Sequence, residues 1–132
     1  MQKSASDPHN PGCWELPGGR MKGAEDLDQH IQREVLEEVG LHVEPAQPVH
    51  IWSWEMQSNG SQVRVVAVAR LCNVISGHES TEGSGDDDHI SGLRWWVTSA
   101  LRTLNVIPGQ KEAVKKVLEL LDRNPDSATL AH

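Results

Sequence analysis

Residues 19–41 read GRMKGAEDLDQHIQREVLEEVGL, and the reading of this stretch decides the fold. Leu27, Ile31, Val35 and Val39 recur every four residues, which draws one apolar stripe along a helix expected over 25–39. Gly40 is a natural C-cap, and Pro45 and Pro48 keep the helix from resuming. Glu34, Glu37 and Glu38 crowd the same helix. Glutamates three and four residues apart repel in water by a few tenths of a kcal/mol per pair (~0.2–0.5), so their clustering calls for a compensating positive charge.

The sequence on either side is organised around that helix. Residues 1–12 hold Asp-Pro, Asn-Pro and Pro-Gly steps and read as a loop; CWELPGG (13–19) is a short extended run ending in a Pro-Gly-Gly turn. Downstream, VHIWSWEM (49–56) and SQVRVVAVARLCNVI (61–75) read as two strands. Asn59-Gly60 between them predicts an antiparallel hairpin. A Gly-rich acidic loop, SGHESTEGSGDDDHISG, leads to LRWWV (93–97), read as another strand. A second helix is predicted over 110–123, burying Ala113, Val114, Val117, Leu118 and Leu121, and residues 124–132 read as a tail without structure. The pattern predicts a single α+β domain over 1–132, with helices packed on a mixed sheet.

A chain of 132 residues, 37% hydrophobic and 23% charged, is long enough for a real core. Its net charge of −7 argues against a nucleic-acid partner, which calls for a basic footprint. An anionic small molecule stays compatible, because bound cations invert the local field. No stretch is apolar enough to cross a bilayer and the start carries no signal-peptide core. Cys13 and Cys72 lie far apart, so two reduced thiols and a cytoplasmic location are expected.

On a helix turning about 100° per residue, Glu34 and Glu38 lie nearly in line, with Glu37 roughly 60–100° to one side. Three carboxylates can thus converge beside the apolar stripe. Oxygen-only donors suit Mg²⁺, or Mn²⁺, better than zinc. A glycine turn at Gly18-Gly19 allows close backbone approach, so that a carbonyl there could add a further oxygen. A site of this kind leaves room for substrate phosphate and supports phosphoryl-type hydrolysis. Taken alone, REVLEEVG reads first as an ordinary solvated helix face.

The wider spacing separates these readings. Gly19, five residues, Glu25, seven residues, then Arg33-Glu34-Val35-Leu36-Glu37-Glu38-Val39-Gly40-Leu41 resembles a complete Nudix box, the signature of the MutT/Nudix hydrolase family. Seven fixed letters arise by chance about once in a million for a chain this long. The lead-in WELPGG is similar to the family's as well. The resemblance implies an α/β/α sandwich around a mixed sheet and an enzyme that cleaves a pyrophosphate bond in a nucleoside diphosphate derivative, by water attack on phosphorus. A nucleoside triphosphate, an oxidised nucleotide and an ADP-sugar are all compatible.

By motif position, the resemblance makes Glu37 and Glu38 the main Mg²⁺ ligands and Glu34 a ligand or the base that activates water. Gly18 could join through its carbonyl, and Arg33 would orient the glutamates. Glu25 would support the loop–helix junction. Asp86, Asp87 and Asp88 lie where relatives bring a later acid; Asp88 is taken as a metal ligand, and Asp88-His89 resembles an acid–His pair of some relatives. Arg20, Lys22 and Trp95 are the candidate substrate contacts. Trp52, Trp54 and Trp96 could also stack on a base, although Trp52 and Trp54, sharing one strand face, read more readily as core. His30 reads as partly buried rather than a ligand.

Only eleven residues precede GCWELPGG, whereas the family carries a strand or more there. A shortened start, a rearrangement within the chain, or coverage by a second protomer would each answer the open sheet edge; the third predicts a homodimer. The competing functional class is a nucleotide-binding or regulatory module that does not turn over.

Overall fold

The computed structural model of the chain describes residues 1–83, 90–123 and 129–131. Asp26 starts the first helix, α1 (Leu27–Val39), through a reciprocal cap. Its carboxylate accepts from the Gln29 N–H at 2.8 Å, and the Gln29 side-chain oxygen accepts from the Asp26 N–H at 3.0 Å. The helix begins two residues later than its pattern suggests because the Glu25 side chain is engaged across the preceding turn. Gly40 ends it at φ 77°, with its N–H donating to the Leu36 carbonyl at 3.1 Å. Ile31, Val35 and Val39 are buried, but Leu27 is 58% exposed, so the apolar stripe is one turn shorter than the spacing suggests.

From Gly40 the chain passes directly into β2 (Leu41–Ser58), which turns back into β3 (Ser61–Gly77). Asn59 (φ 50°) and Gly60 (φ 77°) both adopt positive φ, as a two-residue hairpin turn of type I′ requires. The ladder runs from Ser58 opposite Ser61 to Leu41 opposite Gly77. These strands are longer than the sequence pattern predicts. Pro45 and Pro48 lie inside β2, at places where the register shifts and on a strand at the sheet's edge, where a missing N–H is tolerated. At the open end of the hairpin, Gly77 lies against the Gly40 carbonyl with no room for a Cβ, which clamps the end of α1 to the end of β3.

The rest of the sheet corrects two expectations. Residues 93–97 form no strand; the extended segment is β4 (Ile90–Gly92), paired with β1 (Gln2–Lys3). Side-chain contacts hold 94–96 in place of a ladder, with Arg94 over the Trp96 ring and the Trp95 indole bonded to Glu79. The end of the chain is not without structure, since β5 (Thr129–Ala131) pairs antiparallel with Arg70–Cys72 of β3. Part of the sheet edge expected to lie open is therefore covered from within the chain. The described strands form two small sheets, β1–β4 and β2–β3–β5, and the parallel element is a bridge between Trp14 and Val106.

Beyond β4 come α2 (Thr98–Leu101), a 3₁₀ turn (Pro108–Gln110) and α3 (Lys111–Arg123). The helix buries Ala113, Val114, Val117 and Leu118 as its periodicity predicts. One core cluster joins α1 to the open end of the hairpin through Ile31, Val35, Val39, Leu41, Val43 and Cys72. A second joins α3 to the chain before it through Val106, Val114 and Leu118, with Leu16, Leu101 and Leu104 packed alongside. A cavity of about 450 Å³ lies between the clusters, lined from both. No described helix is long and apolar enough to cross a membrane.

Both cysteines are free thiols. Burial pushes the Cys72 thiol up to about 11, whereas Cys13 is half-buried and accepts from the Asn105 amide at 3.4 Å. A thiol-reactive reagent at pH 8 is expected to label Cys13 in the folded protein and Cys72 only after denaturant is added, with mass spectrometry of the digested protein counting each site.

Candidate active site

Arg33 is the centre of the site. Its Nη2 and Nε donate to the two Glu25 oxygens at 2.7 and 2.9 Å, a paired contact that sets the guanidinium plane. Its Nη1 donates to Glu34 Oε1 at 2.8 Å and Glu37 Oε2 at 3.1 Å, and Nη2 also reaches the Arg20 carbonyl at 3.1 Å. One cation thus joins the helix carboxylates to the loop before them. The guanidinium holds the Glu25 carboxyl down at about 2, helped by the Lys22 N–H, which donates to Oε1 at 2.6 Å. Hydrogen bonds that it donates to Glu25 and Glu34 hold Arg33 firmly protonated.

The glycine turn receives two carboxylates, Glu34 and Glu38. Glu34 is buried, 7% exposed, and its carboxylate fills the place where a side chain on Gly19 would stand: a Cβ there would lie 2.7 Å from Oε1. Glu38 Oε2 accepts from the Gly18 N–H at 2.7 Å. The Gly19 carbonyl is met by His30 Nε2 at 2.8 Å, which assigns the ring's proton to that nitrogen. His30 is therefore half-buried and fastens the turn. Lys22 Nζ lies 3.9 Å from Glu37, and the Arg20 guanidinium reaches Met56 Sδ at 3.5 Å.

The structure thus brings Gly18, Arg20, Lys22, Arg33, Glu34, Glu37 and Glu38 to one turn and one helix face. Glu25 joins them in the supporting role expected of it. Asp88, with Asp86, Asp87 and His89, lies outside the described residues. Gly83, before that loop, packs on the Glu37 carbonyl. Trp95, half-exposed, lines the cavity and donates to Glu79. Trp52 and Trp54 do share a face, stacked in a row with His50 at centroid spacings of 5.5 and 6.5 Å. Sequence reasoning missed the His30–Gly19 and Glu38–Gly18 contacts; the 11 and 20 residues separating their partners leave no periodic signal.

Could these residues hold a divalent cation? Among the described residues, no three acidic, His or Cys side chains stand together as an ion-holding group. Arg33 lies between Glu34 and Glu37, and Glu38 turns to the Gly18 N–H. The donor chemistry nevertheless fits. All the groups are oxygens, Glu34 is seated over the glycine turn, and Glu37, the most exposed of the carboxylates on Arg33, stands beside it on the same guanidinium nitrogen.

The family model of the NUDIX domain matches residues 1–118. The chain belongs to the NUDIX domain family. It is 42% identical over 59 residues to the 8-oxo-dGDP phosphatase NUDT18 of Homo sapiens, a match covering 45% of this chain and 17% of that protein. Among solved structures, it is similar to the MutT protein of Methanosarcina mazei Go1 (TM-score 0.63, 21% identity, 96% of this chain and 83% of that one). The E. coli ORF135 protein gives a TM-score of 0.62 at 20% identity, over 95% and 81% of the two chains. These likenesses bear out the α+β Nudix fold read from the sequence.

Glu25 offers a clean pH test of the Arg33 network. Its folded value of about 2 lies below the ordinary 4.5, so its contribution is complete above pH 4.5 and is lost as pH falls through 2. Glu25→Gln is expected to be less stable than the parent at pH 7. That difference should shrink steadily below pH 4.5 in urea unfolding at a series of pH values.

Proposed function

We propose that the protein is a Mg²⁺-dependent hydrolase of nucleoside diphosphate derivatives, Mn²⁺ being the alternative ion. The observation that carries this reading is the seating of Glu34 and Glu38 against the Gly18-Gly19 turn, with Arg33 fixing Glu34 and Glu37. Membership of the NUDIX family fits it, and a partial relative named 8-oxo-dGDP phosphatase favours a nucleoside diphosphate group in the substrate.

Glu34, Glu37 and Glu38 would hold the cation, with the Gly18 carbonyl and Asp88 as further oxygens. When bound, the ion neutralises phosphate oxygens and makes phosphorus more open to attack. The chain's own groups supply the rest. Arg33 fixes the directions of Glu34 and Glu37 through its Nη1 and is itself held protonated. Arg20 and Lys22 are the cations of the turn that can meet the phosphates. Glu34, buried and directed at the turn, would be either one of those ligands or the base that takes the proton of the attacking water at a carboxylate oxygen.

A panel of nucleoside di- and triphosphates, oxidised nucleotides and ADP-sugars, assayed for phosphate and nucleoside monophosphate release with and without Mg²⁺, tests the reading. Glu38→Gln is expected to lower turnover at least 100-fold, about 2.7 kcal/mol of barrier, with a modest change in melting temperature. A variant that keeps more than half its rate contradicts the assignment. Binding of nucleotides by the parent chain with no Mg²⁺-dependent turnover would favour a non-catalytic module. Gly19→Ala should also lose turnover, by about tenfold or more, because its methyl group would push Glu34 from its seat.

A further inference from the structure

His30, Glu34 and Glu38 follow one another at intervals of four along α1 and so form one ridge of the helix. All three meet the same pair of glycines. His30 Nε2–H donates to the Gly19 carbonyl at 2.8 Å, the Glu34 carboxylate stands where a Gly19 side chain would be, and Glu38 accepts from the Gly18 N–H at 2.7 Å. Only the first of these side chains is a donor. A carbonyl accepts and an ionised carboxylate cannot donate, so neither glutamate could make the contact that His30 makes.

The motif specifies both glutamates, whereas His30 falls among the seven open positions between Glu25 and Arg33. Two glycines in succession have no side chains to fix their backbone, whose freedom is otherwise large. The position of the turn over Glu34 therefore depends on contacts that reach it from outside. His30 has a firm base for this task. Its own N–H donates to the Asp26 carbonyl at 2.9 Å, closing the first turn of a helix fixed by the Asp26–Gln29 cap. One residue further on, the Arg20 carbonyl accepts from Arg33 at 3.1 Å. The turn is thus fastened at three successive residues, Gly18 by Glu38, Gly19 by His30 and Arg20 by Arg33.

We propose that His30 is a positioning residue of the hydrolase, acting through the Gly19 carbonyl to hold the glycine turn down on Glu34. The inference rests on the hydrolase reading above and adds which side chain keeps the turn and its carboxylate together. Nε2 is occupied by main chain, so the ring acts through the turn and not on the substrate. Groups in a reacting site must be held to within about 0.5 Å of their productive places, and a misplacement near 1 Å can cost about 100-fold. A loosened turn should therefore slow the chemical step more than it weakens binding.

His30→Leu keeps comparable bulk and deletes the donor, whereas His30→Gln offers an amide N–H at a similar reach. With the nucleotide that the parent hydrolyses best, kcat should fall about fivefold or more in the leucine variant while KM changes less than about threefold. The glutamine variant should recover most of the loss. Amide hydrogen exchange of the full chain without divalent cations, followed by NMR, gives a readout apart from activity. The Gly18 N–H, which His30 does not touch, should exchange about 3–10-fold faster in the leucine variant, the effect of one lost hydrogen bond, and at the parent rate in the glutamine variant. The Gly40 N–H, bonded to the Leu36 carbonyl at the far end of the helix, should be unchanged in both. Faster exchange at Gly40 as well would show that the substitution loosens the whole helix, and would overturn the proposal. So would an unchanged kcat, a rise in KM with kcat kept, or a glutamine variant as slow as the leucine one. An inactive parent would defeat the hydrolase reading instead, and the Gly18 exchange would still decide whether His30 holds the turn.

Discussion

A single guanidinium, that of Arg33, makes the acidic helix tenable. Three carboxylates and a main-chain carbonyl share its donors, so charges that would repel in water become a fixed array. The arrangement matters most for Glu34, since a buried carboxylate stripped of its ion pair bears a desolvation cost of several kcal/mol (~3–5). Glu25 lies eight residues before Arg33, and their pairing folds the loop back upon its own helix. The Gly18-Gly19 turn then closes over Glu34 and Glu38, with His30 fastening it from the helix side. Lose the guanidinium, and the Gly18–Glu38 and His30–Gly19 contacts are left to fasten the turn to the helix.

What could be read in advance follows the range of the physical signal. The α1 stripe, the Gly40 cap, the Asn59-Gly60 turn and the buried side of α3 are set by residues a few positions apart, and each forms where periodicity and turn chemistry place it. The Glu25–Arg33 pairing could be anticipated as support for the junction. Contacts across longer separations could not. Gln110, buried before α3, accepts from the Leu16 N–H at 2.8 Å and so ties the extended lead-in to the far helix. Nothing in the local composition of either segment announces this. The aromatic run at 94–96 misleads for a related reason: its residues favour strands, yet partners for their side chains fix the chain without a ladder. The final residues, polar and proline-bearing, suggest a free tail, but the free edge of β3 offers backbone partners that composition does not reveal.

The acidic turn and the tryptophan-lined cavity are two sides of the same short segment. Residues 14–17 face the apolar space, and residues 18–22 face the carboxylates. The Gly40–Gly77 clamp adds stiffness at the opposite end of α1, where a side chain on Gly77 would force helix and hairpin apart.

The hairpin has an implication of its own. Strands of 18 and 17 residues would run about 60 Å if straight, well beyond the ~35 Å breadth of a globule this size. Ile51, Trp54, Val63 and Val66 are consequently left in water along its outer half. Long strands with apolar outward faces are templates for unwanted chain-to-chain pairing. Here the distal part carries its own gatekeepers: Arg64 pairs with Glu55, and Gln62 joins the same carboxylate at 2.6 Å. Charge at the extremity, rather than shortness, is the feature of this ribbon that works against such pairing.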